Sequence, residues 1–174
     1  MDLITDLPRT PDGKDAIVVF VDRLSKMCHV AACTKTVTGE GVAHIFEWCV
    51  WKHHGIPQDI VSDRDVRFMA AFWKEMARMF GIKLNMSTAR HAQTDGQTEN
   101  ANGILEDTLR HFVGPYQTEW SSLLPAAEFA MNNAWSQSVQ NTPFMLNYGQ
   151  NPDTPVIAGL RSLNPGVNKF VGKW

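Results

Sequence analysis

The segment Asp15–Asp22, DAIVVFVD, constrains this chain more than any other stretch. Between its two aspartates lie four β-branched side chains, an alanine and a phenylalanine. Successive side chains of a strand point to opposite faces, so an unbroken apolar run is a strand covered on both sides. The chain must therefore supply neighbouring strands and two separate apolar covers for them.

Both are legible in outline. MDLIT at the start is a short strand. DLPRTPDGK follows as a turn, with two prolines and Asp12-Gly13. KMCHVAAC (26–33) is a third strand, and the short connections predict an antiparallel meander. Cys28 and Cys33 fall on opposite faces of that strand, which makes them buried small side chains rather than a zinc pair. TGEGVAHIFEWCVWKHHG then changes to helical spacing, with Val42, Ile45, Phe46, Cys49 and Val50 on one side. His53-His54-Gly55 marks its end, where cations favour the helix dipole. QDIVSD is a fourth strand. RFMAAFWKEMARMFG is an amphipathic helix with Phe68, Phe72, Met76 and Met79 on one stripe and Gly81 as its stop. IKLNMS is a fifth strand, and TARHAQTDGQ a polar loop. Helices are predicted from about Thr98 to Val113 and from about Glu119 to Trp135, with TPFMLNYG a short helix or turn.

The expected fold class is α/β: a mixed five-stranded sheet, three antiparallel strands and then parallel ones, flanked by helices. A length of 174 residues suits one domain, residues 1–149, followed by an extended tail at 150–174 rich in proline and glycine. A formal net charge of −2 does not announce a nucleic-acid binder. Three cysteines make no even-numbered disulfide framework, and no apolar run reaches membrane length, so no membrane partner is expected.

The chemistry rests on acids at strand ends. Asp2, Asp22, Asp63, Asp65, Glu99 and Glu106 are the candidates, and most surface acids only solvate. Asp22 ends a buried strand but stands next to Arg23. Asp65 has Arg64 and Arg67 to pair with. Glu106 precedes Arg110 at the favourable helix ion-pair spacing. Asp63 closes the fourth strand, and 35 residues separate it from Glu99.

Together, MDLITDLP, VDRLSK, HGIPQDIVSDRDVRF, FWKEMARMFGIKLNMSTARHAQTDGQTEN and LEDTLR resemble the integrase catalytic core of gypsy-type long-terminal-repeat retrotransposons. The likeness runs through TPFMLNYGQNP, to about residue 150. It implies a ribonuclease-H-like fold and a DDE polynucleotidyl transferase and endonuclease. Asp2, Asp63 and Glu99 are then the catalytic acids and the ligands of two Mg²⁺ or Mn²⁺ ions. His91, Gln93, Thr94, Gln97 and Asn102 are the implied DNA contacts. The implied reactions are 3′-end processing and strand transfer, that is, DNA integration. The implied partners are element-end and target DNA and further copies of the chain. The implied location is the nucleus, with a cytoplasmic stage before import. The glutamate at this spacing within QTDGQTE distinguishes this reading from a ribonuclease H.

The chain departs from the family pattern at three positions. Ala92 stands where the family usually has proline, which loosens the loop. Asn100 and Gly103 stand where arginines are common, leaving the Glu99 helix without a cation before Arg110 and so short of phosphate contacts. No His/His/Cys/Cys zinc module precedes Asp2, no folded module follows the tail, and Asp2 is expected near a frayed terminus. These features suit a polyprotein fragment. They also support a second reading, a catalytically weak or inactive remnant serving as a DNA- or protein-binding module.

Overall fold

The computed structural model describes residues 1–62, 66–81, 96–112 and 118–154, with backbone alone at 66–67, 96–100 and 110–112. Strand β2, Ala16–Val21, lies between β1, Asp2–Ile4, and β3, Cys28–Cys33, in an antiparallel sheet of order β1-β2-β3. The register pairs Asp2 with Val19 and Ile4 with Ile17 on one side of β2. On the other side Ala16 pairs with Cys33 and Val21 with Cys28.

The alternation expected of a doubly covered strand is realised residue by residue. Ala16, Val18 and Phe20 enter one core with Cys33, Val42, Ala43, Phe46, Phe68, Phe72 and Met76. Ile17 and Val19 enter a second core with Ile4, Val30, Leu105, Leu109, Trp120, Leu124 and Ala127. The first cover is built by α1, Gly39–Phe46, and α3, Val66–Phe80; the second by α4, Gly96–Phe112, and α5, Trp120–Asn133. Phe46 bridges Phe20 and Phe72 through two edge-to-face contacts, with ring centroids 5.3 and 5.6 Å apart.

Local chemistry sets the helix limits. Thr38 caps α1 by accepting the Gly41 amide. Beyond Phe46 the helix runs on through a π-helical stretch, Glu47–Trp51, and a last turn α2, Lys52–His54, and stops at Gly55 with φ +77°. Gly81 ends α3 with φ +64°, the left-handed conformation glycine adopts freely. Thr142 caps α6, Pro143–Tyr148, which has proline at its first position and left-handed Gly149 at its end.

The helix α5 also closes the sheet's outer edge. Asn132 is 1% exposed, and its side chain meets both the Cys28 amide and the Cys28 carbonyl at 2.8 Å. Glu128 accepts the Val30 amide at 2.9 Å. Cys28 and Cys33 are buried on opposite faces of β3, and burial pushes their thiols up to about 12 and about 11. The thiols are therefore protonated and inert at neutral pH.

The parallel half of the predicted sheet differs from expectation within the described residues. Residues 59–62 are not in a regular strand. Val61 is tied to the start of β1 by a hydrogen bond from the Met1 nitrogen to its carbonyl at 2.8 Å. The predicted fifth strand, Ile82–Ser87, and most of the predicted tail lie outside the described residues.

Gly39 is the tightest contact between the helices of the first cover. A Cβ there would stand 2.3 Å from the Phe68 carbonyl oxygen and 2.8 Å from the Phe72 nitrogen. Gly39→Ala is therefore expected to destabilise the fold by about 1–3 kcal/mol, as overpacking does. Gly103, with nothing within 4 Å of its would-be Cβ, is the control. Gly103→Ala should stabilise by about 0.5–1 kcal/mol through helix propensity. Urea unfolding of the two variants checks both signs.

Candidate active site at the end of the sheet

Asp2 opens β1, and its carboxylate is held from two sides. One oxygen accepts the Leu3 amide at 2.7 Å, and the other accepts a short hydrogen bond from the Asn102 side-chain amide. Leu105 and Leu109, buried in the second core, press α4 against the sheet and so bring Asn102 to the start of β1. The Asn102 carbonyl oxygen is buried with no partner among the described residues. An orphaned acceptor beside a carboxylate leaves the site's polar requirements incomplete without a further donor.

Position 99 lies one helical turn before Asn102 on α4, so the two positions share a helix face. The Met1–Val61 hydrogen bond brings residues 60–62 alongside the start of β1. The chain passes next to Asp63, which with Asp65, His91, Gln93 and Thr94 lies outside the described residues. Gln97 and Glu99 are described as backbone on α4. The structure thus gathers Asp2, the α4 face that includes position 99, and the segment leading to residue 63 at one end of the sheet.

Asp22, the rival to Asp2, has other work. Its carboxylate accepts the Ser25 amide at 2.8 Å and the Ser25 hydroxyl at 2.6 Å, closing the β2–β3 turn. Burial would raise its carboxyl, but the Ser25 hydroxyl, with the Ser25 and Leu24 amides, outweighs it and leaves the group below its usual value. Its turn partner is therefore Ser25.

Sequence reasoning put Asn102 among the DNA contacts; its contact in the structure is Asp2. The signal was available, because a residue three positions after Glu99 must share its face. The His53–His54 pair also differs from the helix-dipole expectation. Burial, helped by neighbouring Lys52 and His29, holds His53 below its ordinary value. Burial, helped by His29 and His53, does the same for His54. Neither is thus a strong cation at the helix end. His29 on β3 and Glu128 on α5 join this group from distant parts of the chain, where no local motif pointed to them. Among the described residues no group of three or more His, Cys, Asp or Glu is arranged to hold a metal ion. No helix there is long and apolar enough to cross a membrane.

This architecture has known counterparts. The chain superposes on the HTLV-2 integrase catalytic core domain in complex with magnesium, in a trimeric form. The TM-score is 0.57 at 19% identity, covering 84% of this chain and 95% of that one. The catalytic core domain of BIV integrase gives a TM-score of 0.53 at 19% identity, covering 85% and 93%. The fold is the ribonuclease-H-like fold of integrase catalytic cores. No family profile matches the chain. Over 152 residues, 87% of its length, it is 35% identical to the Transposon Tf2-3 polyprotein of Schizosaccharomyces pombe, and equally to the Tf2-4 polyprotein. The chain has the fold of integrase catalytic cores and is homologous to a segment of those retrotransposon polyproteins. It spans 11% of their length.

The Asp2–Asn102 contact makes a prediction about charge. Asn102→Asp sets two carboxylates against each other, and such a pair retains one proton to higher pH than a lone carboxyl does. The folded variant then binds more protons than its unfolded chain, so it gains stability as pH falls. In chelator, its thermal midpoint should lie below wild type at neutral pH, and the gap should narrow toward about pH 5. Asn102→Ala should show no such narrowing. A gap independent of pH in the Asp variant would separate position 102 from Asp2.

Proposed function

We propose that this chain is the catalytic core of a metal-dependent DNA strand transferase, acting on the ends of its own element and on target DNA in the nucleus. The observation that carries this reading is the gathering of Asp2, the α4 face with position 99, and the segment ending at Ser62 at one end of the sheet.

The residues suit a hard divalent cation. Asp2 offers carboxylate oxygen, the neighbouring Asn102 carbonyl is buried without a partner among the described residues, and oxygen donors are what Mg²⁺ and Mn²⁺ take. Asp2, Asp63 and Glu99 would hold a pair of such ions. Bound there, the pair would neutralise charge on the phosphate and activate the attacking oxygen. Magnesium in the HTLV-2 core supports the choice of metal.

The protein's own part is positioning. Asn102 fixes the direction of one Asp2 oxygen, and the Leu3 amide fixes the other. Packing of Leu105 and Leu109 sets the distance of α4 from β1. His91, Gln93, Thr94 and Gln97, on the polar stretch before Glu99, supply donors to DNA phosphate or bases. In the first reaction water oxygen bonds to phosphorus, and the bond to the 3′-oxygen breaks, freeing a 3′-hydroxyl. In the second that hydroxyl attacks a target phosphate and the target's own 3′-oxygen leaves. Both are direct displacements without a covalent enzyme intermediate. Two element ends must be joined to one target, which several copies of the chain acting together would accomplish.

The test is strand transfer and disintegration on labelled DNA with Mg²⁺ or Mn²⁺, alongside thermal unfolding with and without metal. Asp63→Asn and Glu99→Gln should abolish product, while Asp65→Asn should behave as wild type. Metal at a hundredfold excess over Kd should stabilise wild type by about 2.7 kcal/mol, and Asp63→Asn should lose most of that gain. A folded wild type that neither transfers strands nor gains stability from metal would overturn the reading and favour a binding remnant.

A further inference from the structure

Away from these carboxylates, two imidazoles meet nitrogen to nitrogen. His29 Nε2 on β3 and His54 Nε2 at the end of α2 are 2.9 Å apart. The other His29 nitrogen, Nδ1, lies 2.9 Å from a Glu128 carboxylate oxygen, whose second oxygen is held by the Val30 amide. A carboxylate only accepts, so Nδ1 carries hydrogen and Nε2 faces His54. The rings are further packed in a row. His53 stacks on His29 at 6.0 Å and Tyr148 of α6 stacks on His54 at 6.4 Å.

We infer that the His29–His54 pair is a proton-sensitive latch, which holds the end of the α1–α2 helical run and the loop beyond it against the sheet. The argument is a count of hydrogens. In the neutral pair, His54 Nε2–H donates to His29 Nε2. One added proton leaves that bond intact, since a single hydrogen still lies between the two nitrogens. A second proton puts N–H against N–H at 2.9 Å and breaks the contact. Two ring nitrogens 2.9 Å apart are at hydrogen-bond distance, so the particle they share is a proton.

The charged neighbours act in both directions. Asp22 favours protonation of His54, while His29 and His53 oppose it along with burial. Lys52 opposes a proton on His53, and Glu128 favours one. The thiols of Cys28 and Cys49 are raised by burial and by Glu128, and so do not titrate in this range. Arg23 and Asp59 line the cavity of about 540 Å³ that His29 and His54 wall on one side. The same cavity is lined by Gly55, Pro57, Ile60, Val61 and Met1. Release of His54 therefore frees the segment whose far end is tied to the start of β1.

The sign follows from the hydrogens. The folded pair refuses the second proton, while the unfolded histidines take it at their ordinary value near 6.5. The stabilisation is thus complete above that value and is lost as pH falls below it.

The test is a histidine-ring NMR titration of the full chain between about pH 8 and pH 5, with amide exchange followed in parallel. His29 and His54 should titrate as a coupled pair in two steps, the second below the ordinary histidine range. Amide exchange at residues 55–62 should accelerate at that second step. In His54→Gln, whose side-chain amide still donates but does not titrate, His29 should show one step and the exchange should not respond. The wild-type midpoint should fall over this range by about 2–4 °C more than the variant's. Should His54→Gln fail to fold, His29→Gln gives the same comparison on the partner ring. Independent single-step titrations of the two rings, or a stability loss equal at both pH values, would overturn the latch.

Discussion

Everything in this molecule is arranged around a strand that has no solvent side. Ala16 through Phe20 are each at most 6% exposed. Full burial of one such valine or isoleucine is worth about 1.5–3 kcal/mol, so both covers must be present together. That demand explains why helices from both halves of the chain meet the sheet. It also explains why the site lies where it does. The strand's two neighbours and the helices that cover it converge at its ends, and there polar side chains from distant segments can meet without being buried in apolar surroundings.

The carboxylate end of the sheet and the histidine end of the helical run solve one electrostatic problem in two ways. At Asp2 the carboxylate accepts from the Leu3 amide and the Asn102 side chain. At His29 and His54 the paired rings leave no place for a second added proton, while Glu128 holds the far nitrogen of His29. In both places an uncharged donor holds an acceptor.

Much of this was legible in the sequence because it is periodic or local. The run at 15–22, the stripe Phe68–Phe72–Met76, the glycine stops at 55 and 81 and the capped turn at 142–149 follow from side-chain spacing and backbone preference. The structure departs from expectation where the partners are remote. Residues 58–63 read as a strand, yet strand character depends on a remote partner, and 59–62 are not in a regular strand. His29 was invisible as a partner because it stands 99 positions before Glu128 in the chain. The meeting of Asp2 with α4 required the packing of Leu105, which spacing alone does not reveal.

The way α5 lies along β3 has one more consequence. An open strand edge is a template on which any extended chain can add itself. Here Asn132 imitates the backbone of an absent strand, occupying the Cys28 amide and carbonyl at once, while Glu128 occupies the Val30 amide. This stretch of the β3 edge is taken up by side chains, which, unlike a backbone, cannot pass the pairing on to a further strand.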